Sequence, residues 1–568
     1  MYFLGLSALS HDTSAALLSD RGFLAAIEES KLTRSGVTAG IPREAIRFCM
    51  ERAAIGWRDV GAIAIASRPW RLWARRTALR ARFLPLAPVS TGYYESKAVG
   101  ELAAELNNHR ILRLLSGDAH VPLLFFDHHL CHAASAYYAS DFDRSLILTF
   151  DEQGGGESGL VALGEAGKIR PVHRTSSPNS LAWVYSQVTE LLGFRPHSHE
   201  HKTQWLSLMA EPKYVETFLD MIRCSGSLHP KLDPSYFTRG FAGRLAFSRK
   251  FYDGLGISSR SPEKLNDEDR AVLASSLQRA CEIVVTGLAQ SLRKKHNTEN
   301  LCLAGGLFLN PLLVAELERN AGFGNVFVQP AAGNEGTALG AAWLAQQHVN
   351  PSLCTPGLPH VYFGPSFPNE EIKQVLDNCK ATYRWTASDD QAVQEAVKLL
   401  AAGKIVGWFQ GAAEFGARAL GNRSLLASPW APYVKENLND YVKHREPFRP
   451  FALSVPEEDA SKYFETPTPA AHFMATMSRL RPEGRKLLSA HAVPQDRVRL
   501  HVVEREGNPF YWSLLKAFGA QADAPILLNA SFNLFGEPLV VSPRDAVRSY
   551  FCSGVDALVI GNFLLVKS

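Results

Sequence analysis

A chain of 568 residues, 46% of them hydrophobic, is long enough for two to four domains with separate cores. Its 60 basic and 56 acidic residues nearly cancel, and a net charge of +4 gives no reason to expect nucleic acid or an anionic membrane as a partner. Eight cysteines without a C-x-x-C pair argue against a disulfide scaffold and for a reduced, cytoplasmic protein.

Met1 leads directly into a strand-like run, Tyr2-Phe-Leu-Gly-Leu6, instead of the charged and apolar regions of a signal peptide. No stretch of about eighteen uncharged apolar residues follows, so no transmembrane span is expected. Phe3–Leu6, Ala15–Leu18 and Gly22–Ile27 read as strands. The first two flank a polar turn, Ser10-His11-Asp12-Thr13-Ser14, which either holds phosphate through its backbone N–H groups or is an ordinary hydrogen-bonded β-turn. Between Arg68 and Phe83 six arginines interleave with tryptophans. That segment is either a contact for phosphate, an anionic partner or a membrane surface, or a solvated amphipathic helix.

The most informative stretch is His128-His129-Leu130-Cys131-His132. If the helix continues through Tyr138, His128 and His132 project from one face about one turn apart, as a chelating pair. Ser145–Phe150 reads as a buried strand that delivers Asp151 at its C-terminal end, before the turn Gln153-Gly154-Gly155-Gly156. Two imidazoles and a carboxylate leave coordination positions open. The competing reading is a helix whose histidines bond to loop carbonyls, with Asp151 capping the next turn. A metallopeptidase motif needs Glu directly after its first His, and His129 stands there.

Two more glycine turns follow predicted strands and open predicted helices: Leu301-Cys-Leu-Ala-Gly305-Gly306-Leu-Phe-Leu-Asn310, and Ala331-Ala-Gly-Asn334-Glu335-Gly336 after Asn325–Gln329. Each brings a helix N-terminus toward an anion, which suggests one nucleotide cleft. The Pro- and Gly-rich stretch between His348 and Pro368 is placed as a linker. A second domain then opens with an amphipathic helix near Gln391–Ala402 and a strand Lys404–Phe409. Its loops carry Glu414-Phe-Gly-Ala-Arg418-Ala-Leu-Gly-Asn-Arg423-Ser424, Lys443-His-Arg445-Glu-Pro-Phe-Arg449-Pro-Phe451, Arg499, and Asn529-Ala-Ser531-Phe-Asn533. Cationic loops between apolar strands are what a polyanionic phosphate site needs.

In this order, and above all through Gly411–Ser424 and Arg445–Phe451, the chain resembles the bacterial O-carbamoyltransferases of nodulation and antibiotic tailoring over nearly its whole length. The resemblance implies an α/β protein. Residues 1–355 are expected to form an actin/Hsp70-superfamily, Kae1-like domain that carries out carbamoyl transfer, and residues 356–568 a YrdC-like α/β domain that forms carbamoyl adenylate. It implies an ATP-dependent transferase that makes carbamoyl adenylate from carbamoyl phosphate and ATP, then passes the carbamoyl group to a hydroxylated small-molecule acceptor in antibiotic or secondary-metabolite biosynthesis. Adenylation supplies a good leaving group where carbamate itself acylates poorly.

The same resemblance implies His128, His132 and Asp151 as metal ligands, with Asn334 at the position of a fourth, an aspartate in other members. Either the site has lower affinity or the adjacent Glu335 takes over. Imidazole with hard oxygen favours Fe(II), with Zn or Mn as alternatives, and Mg accompanies ATP. His11 becomes the general base and Asp12 its orienting partner. Gly154, Gly155, Gly305, Gly306 and Asn310 become the nucleotide cradle. Arg418, Arg423, Lys443, Arg449, Arg499, Ser531 and Asn533 are expected to bind ATP and carbamoyl phosphate. Where relatives carry a basic pair, this chain has Ser35-Gly36, leaving Lys31 or Arg34 as substitutes. A threonylcarbamoyl-type tRNA enzyme and a non-catalytic nucleotide sensor are the alternatives. Monomer and homodimer remain open, and the acceptor pocket is assigned to Trp70–Tyr94 and Ser225–Arg260.

Overall fold

The computed structural model describes residues 1–8, 11–36, 38–68, 107, 110–223, 229–239, 245–256, 265–353, 357–465, 468–534 and 536–567. The basic segment beyond Arg68 and most of the expected acceptor pocket lie outside these residues. The chain forms two compact units: unit 1 comprises Met1–Leu24 and Thr38–Leu358, and unit 2 comprises Ala25–Val37 and Pro359–Ser568. The division is therefore not simply linear, because a short early segment belongs with the C-terminal residues.

Unit 1 is built on two five-stranded mixed sheets with the same strand order. The first contains β1 (Tyr2–Ser7), β2 (Ser14–Ser19), β3 (Gly22–Glu28, of which Gly22–Leu24 fall in unit 1), β4 (Val60–Ile65) and β5 (Leu123–Phe125) in the order β3-β2-β1-β4-β5. The second contains β6 (Arg144–Gly154), β7 (Glu157–Glu165), β8 (Lys168–Ser176) and the strands Asn300–Ala304 and Asn325–Val328. There β8, β7 and β6 are followed by Asn300–Ala304 and then Asn325–Val328. In each sheet the first strand is antiparallel to the second and parallel to the fourth, and the fifth is parallel to the fourth. Each sheet is closed by a helix after its fifth strand, His128–Tyr137 in the first and Thr337–Val349 in the second.

Those two closing helices pack face to face, and small residues make the approach possible. A Cβ on Gly340 would come within 1.9 Å of the Cys131 carbonyl, and one on Gly5 within 2.0 Å of the Ala338 carbonyl. The helix Thr337–Val349 is buried along Ala338, Leu339, Gly340, Ala341, Ala342 and Trp343, so it acts as the spine against which β1 and the histidine helix rest. The helix Asp267–His296 is long and apolar enough by composition to cross a membrane, and 78% of its apolar window is buried inside the protein.

Unit 2 surrounds a nine-stranded mixed sheet with the central order Ala557–Ile560, Val406–Phe409, Arg423–Ala427, Leu527–Ser531, Ala452–Pro456, Arg497–Val503. Leu453, Leu500 and Leu528 belong to a core on one face. Ala452, Arg499 and Asn529 are in register with one another on the opposite face, one pleat from Ser454, His501 and Ser531. The alternation thus gives this sheet an apolar face and a partly polar one. Gly5→Val is expected to wedge β1 away from the helix at Ala338 and cost unit 1 about 1–3 kcal/mol or more, read as a lower urea midpoint at unchanged m-value.

Candidate functional site

In unit 1 the histidine pair expected to bind a metal comes from the start of a helix and the carboxylate from a hairpin, and their donor atoms form a cluster that could hold an ion. The helix begins at His128, so His128 and His132 occupy one face of its first two turns. Asp151 lies inside β6 and not at its end, since that strand runs on to Gly154 with its register shifted between Phe150 and Gly154. The irregularity is a bulge-like departure that turns a carboxylate toward the helix. Asp151 Oδ2 stands 3.3 Å from His128 Nε2 and 3.2 Å from His132 Nε2, and the two Nε2 atoms are 3.1 Å apart. Burial raises the Asp151 carboxyl, but the two imidazoles outweigh it and hold it well below the usual range. Burial lowers His132 despite Asp151, which favours the neutral, ligand-competent imidazole.

The surroundings of this triad are shaped by glycine. A Cβ on Gly154 would fall 2.0 Å from the His128 ring, and one on Gly305 2.2 Å from the Phe150 carbonyl. Gly306 faces Asp151 Oδ1, where a Cβ would stand at 3.1 Å. These glycines make room for the carboxylate and imidazoles themselves. Gly155 has a left-handed φ of 61° and open space beyond its missing Cβ. Asn310 departs from the expected cradle: its Oδ1 accepts N–H bonds from Leu312 and Leu313, and its amide contacts Gln278 Oε1 at 2.8 Å. It caps the helix Pro311–Asn320.

His11 and Asp12 lie on the β1–β2 turn, with Nδ1 and Oδ2 2.7 Å apart. The hydrogen bond to Asp12 pushes His11 up to about 9, and the Asp151 and Glu152 charges add to the effect. The imidazole is therefore protonated near neutral pH, whereas an unshifted histidine would be largely free to take a proton. Asn334 Nδ2 lies 3.4 Å from His11 Nε2, while its Oδ1 is buried without a hydrogen-bond partner among the described residues. The Glu335 carbonyl accepts from Ser14 Oγ at 2.7 Å.

Unit 2 gathers the C-terminal cations. Lys443, at the end of the π-helical turn Asn437–Lys443, donates to Ser531 O at 2.6 Å and lies 3.1 Å from Ser531 Oγ; it also contacts Asn533. Burial and then the Arg445 and Arg449 charges hold the Lys443 ammonium well below its ordinary value. Burial likewise lowers Arg499, with Arg418, Arg449 and Arg445 adding to the effect, and Arg445 is brought to about 9. Arg445 NH2 and Arg449 Nε are buried donors without hydrogen-bond partners among the described residues.

Arg423 does not join this group. It is fully buried, stacks on Phe409 at 3.7 Å, and donates to the carbonyls of Pro365, Gly411 and Asn422. Glu414 is its counterpart: one carboxylate oxygen accepts the N–H groups of Leu420, Asn422 and Arg423. The run Gly411–Ser424 is thus held by a buried Glu and Arg that shape the loop bearing Arg418. Lys31 and Arg34 are also committed, Lys31 to Glu28 and the Glu414 and Gly416 carbonyls, Arg34 to Leu539 O, Pro538 O and Glu537.

Sequence reasoning missed two groups at the unit 1 site. Glu152, next to Asp151, holds His197 Nδ1 at 2.6 Å, and Arg174 reaches both Glu157 and Asp127. Both pairings span many residues, so neither has a spacing signature. Adjacency to the candidate ligand Asp151 was the one signal for Glu152.

The family model for the carbamoyltransferase N-terminus matches residues 2–343, and that for the carbamoyltransferase C-terminus matches residues 397–567. An uncharacterized protein of Synechocystis sp. is 34% identical, covering 100% of this chain and 97% of its own. Nodulation protein NolNO of Sinorhizobium fredii is 32% identical, with 98% and 79% covered. The 3'-hydroxymethylcephem-O-carbamoyltransferase of Amycolatopsis lactamdurans is 32% identical over 46% of this chain and 48% of its own. The chain belongs to the carbamoyltransferase family and is a carbamoyltransferase. Among solved structures, full-length HypF in its phosphate- and nucleotide-bound form is 12% identical, covers 62% of this chain and 56% of its own, and superposes with a TM-score of 0.35, too low to carry an argument.

The His11–Asp12 pair sets a pH window. A folded pKa raised to about 9 means that the pair stabilises the protein fully below the ordinary histidine value and loses that contribution as pH rises through about 9. In the metal-free protein, NMR titration of His11 should give a midpoint near 9, and Asp12→Asn should move it down toward about 6.5. An unmoved midpoint would discount Asp12 as the cause.

Proposed function

We propose that this carbamoyltransferase works in two half-reactions. In unit 2 one water splits carbamoyl phosphate into carbamate and phosphate, and a carbamate oxygen then bonds to the α-phosphorus of ATP, with its Mg, as the bond to pyrophosphate breaks, giving carbamoyl adenylate. Unit 1 then transfers the carbamoyl group to the hydroxyl of a small-molecule natural product. The observation that carries the reading is the unit 2 cluster, where Lys443, Arg418, Arg445, Arg449 and Arg499 gather around a partly polar sheet face and two arginine donors lack partners. Such a concentration of positive charge suits a polyphosphate. Ser531 and Asn533 orient Lys443 within it. The duplicated sheet of unit 1 supports an actin/Hsp70-superfamily, Kae1-like domain; a YrdC-like unit 2 is carried over from the resemblance alone.

The unit 1 residues fit a resident metal. Three donor atoms 3.1–3.3 Å apart have the spacing of ligands that share one cation about 2.1 Å from each, and Asn334 Oδ1, buried without a partner among the described residues, is the oxygen the resemblance assigns as the fourth. His128, His132, Asp151 and Asn334 would hold it, and a nitrogen–oxygen set of this kind suits Fe(II), with Zn or Mn as alternatives. When bound, the ion offers positive charge toward the adenylate phosphate.

The protein's own groups handle the proton. The acceptor oxygen bonds to the carbamoyl carbon, its proton passes to His11 Nε2, and the bond from that carbon to the AMP phosphate oxygen breaks, so AMP leaves with the electron pair. Asp12 occupies Nδ1, so Nε2, 3.4 Å from the Asn334 amide, is the nitrogen that takes the proton. By raising the pKa it makes His11 a stronger base that is less often unprotonated at neutral pH.

Incubating the protein with ATP and carbamoyl phosphate, without acceptor, should release pyrophosphate and yield carbamoyl adenylate by mass spectrometry. Lys443→Met is expected to slow this step by about 10²-fold or more, while His132→Ala leaves it intact. If wild type releases no carbamoyl-phosphate-dependent pyrophosphate, the two-step reading fails. Asn334→Asp, by adding a negative ligand, should tighten metal binding by about tenfold; loss of metal in Glu335→Gln instead would assign the fourth ligand to Glu335.

A further inference from the structure

The metal ligands come from two elements, joined within the ligand set only by the contacts of Asp151 Oδ2 with His128 and His132 at 3.3 and 3.2 Å. His128 and His132 ride on a helix, and Asp151 rides on the β6–β7 hairpin. Asp127, at the N-cap of that helix, makes no side-chain cap bond. Its Oδ2 instead lies 3.4 Å from Arg174 NH2 and 3.6 Å from Arg68 NH1. The other arm of Arg174 donates to Glu157 Oε2 at 2.8 Å. Glu157 opens β7 and is paired with Gly154, the residue whose missing Cβ accommodates the His128 ring. One guanidinium on β8 therefore grips the residue before His128 and the hairpin that carries Asp151.

A second tie runs beneath the first. His129 is fully buried, with Nδ1 2.8 Å from Thr149 Oγ1 on β6 and Nε2 3.2 Å from the Glu157 carbonyl on β7. Its ring is edge-on to that of His128 at 5.4 Å. Glu157 thus meets the histidine helix through its carbonyl and Arg174 through its carboxylate. The Asp127 and Glu157 side chains are almost completely covered, so the two ion pairs with Arg174 work with little solvent screening. Opposite charges with fork geometry fix distance and direction at once.

We propose that Arg174 is a positioning residue for the metal site: by clamping Asp127 to Glu157 it holds the histidine helix and the Asp151 hairpin at ligand spacing. The inference rests on the metal reading above and concerns how the apo protein is preorganised. Removing one outer partner of a ligand set typically weakens metal affinity by 10–100-fold. Lysine keeps the charge but lacks the fork, so it can satisfy one carboxylate and not both.

The test is equilibrium binding of Zn²⁺, Mn²⁺ or Fe²⁺ alone to the full-length protein, by competition with a chromophoric chelator, for wild type, Arg174→Lys and Arg174→Gln. Expected is a loss of about 10–100-fold in affinity for Arg174→Gln and a smaller loss for Arg174→Lys, with pyrophosphate release from ATP and carbamoyl phosphate unchanged. Should Arg174→Gln fail to fold, Asp127→Asn, Glu157→Gln and their double variant replace it. Each single change should then weaken binding, and the double should lose less than the product of the two. Wild-type affinity in Arg174→Gln, or strictly multiplicative losses in the replacement cycle, would overturn the clamp. A wild-type protein that binds none of the three ions overturns the metal reading itself, a distinct result.

Discussion

The architecture of unit 1 depends on bringing two imidazole nitrogens and one carboxylate oxygen to within 3.1–3.3 Å of each other in a nearly dry place. Left to themselves, two such nitrogens at 3.1 Å make a poor hydrogen bond unless one carries the proton. Their convergence therefore has to be imposed by the scaffold. Gly154 removes the side chain that would occupy the space of the His128 ring, and Gly340 lets the spine helix press against the histidine helix at Cys131. A Cβ at either place would push these elements apart, so backbone packing permits the spacing that the proposed Arg174 clamp would hold.

The duplicated sheets explain why the functional groups collect where they do. His11 and Asp12 occupy the turn between the first and second strands of one sheet, while Asp151 and Gly154 lie by the turn between the first and second strands of the other. His128 opens the closing helix of the first sheet, and Asn334 stands just before the closing helix of the second. Topologically equivalent positions thus supply His11 opposite Asp151 and His128 opposite Asn334. Because the two closing helices pack together, both pairs are drawn toward one locality, as the 3.4 Å approach of Asn334 to His11 illustrates.

The sequence made the local elements plain wherever a periodic pattern met a clear stop. The histidine helix, the β1–β2 hairpin, the buried β6 and the strand–glycine–helix units at 300–310 and 325–340 all read correctly, since their apolar spacing and glycines act over a few residues. What stayed hidden depends on long-range partners. Arg423 looks like its cationic neighbours in sequence and turns out to be bonded to carbonyls at Pro365, Gly411 and Asn422. Asn310 looks like part of a glycine turn and is a helix cap. The raised His11 pKa requires the side-chain rotamers of His11 and Asp12, and the assignment of Ala25–Val37 to unit 2 requires tertiary contacts; composition reports neither.

In unit 2 the buried cations differ in what surrounds them. Arg423 and Lys31 are surrounded by fixed carbonyl and carboxylate oxygens, so their charges are compensated whatever is bound. Arg445, Arg449 and Arg499 are lowered first by burial, Arg445 further by Arg449, and Arg499 further by Arg418, Arg449 and Arg445, with Glu446 countering Arg445 and Arg449 and the Met474 carbonyl accepting from Arg499. Gathering like charges under burial disfavours the folded state, and a polyanion that pairs with them reverses that penalty. Under the proposed function, that penalty is what binding of a polyphosphate would relieve. The buried Glu414–Arg423 scaffold makes this tolerable, because it fixes the Arg418 loop independently of that ligand.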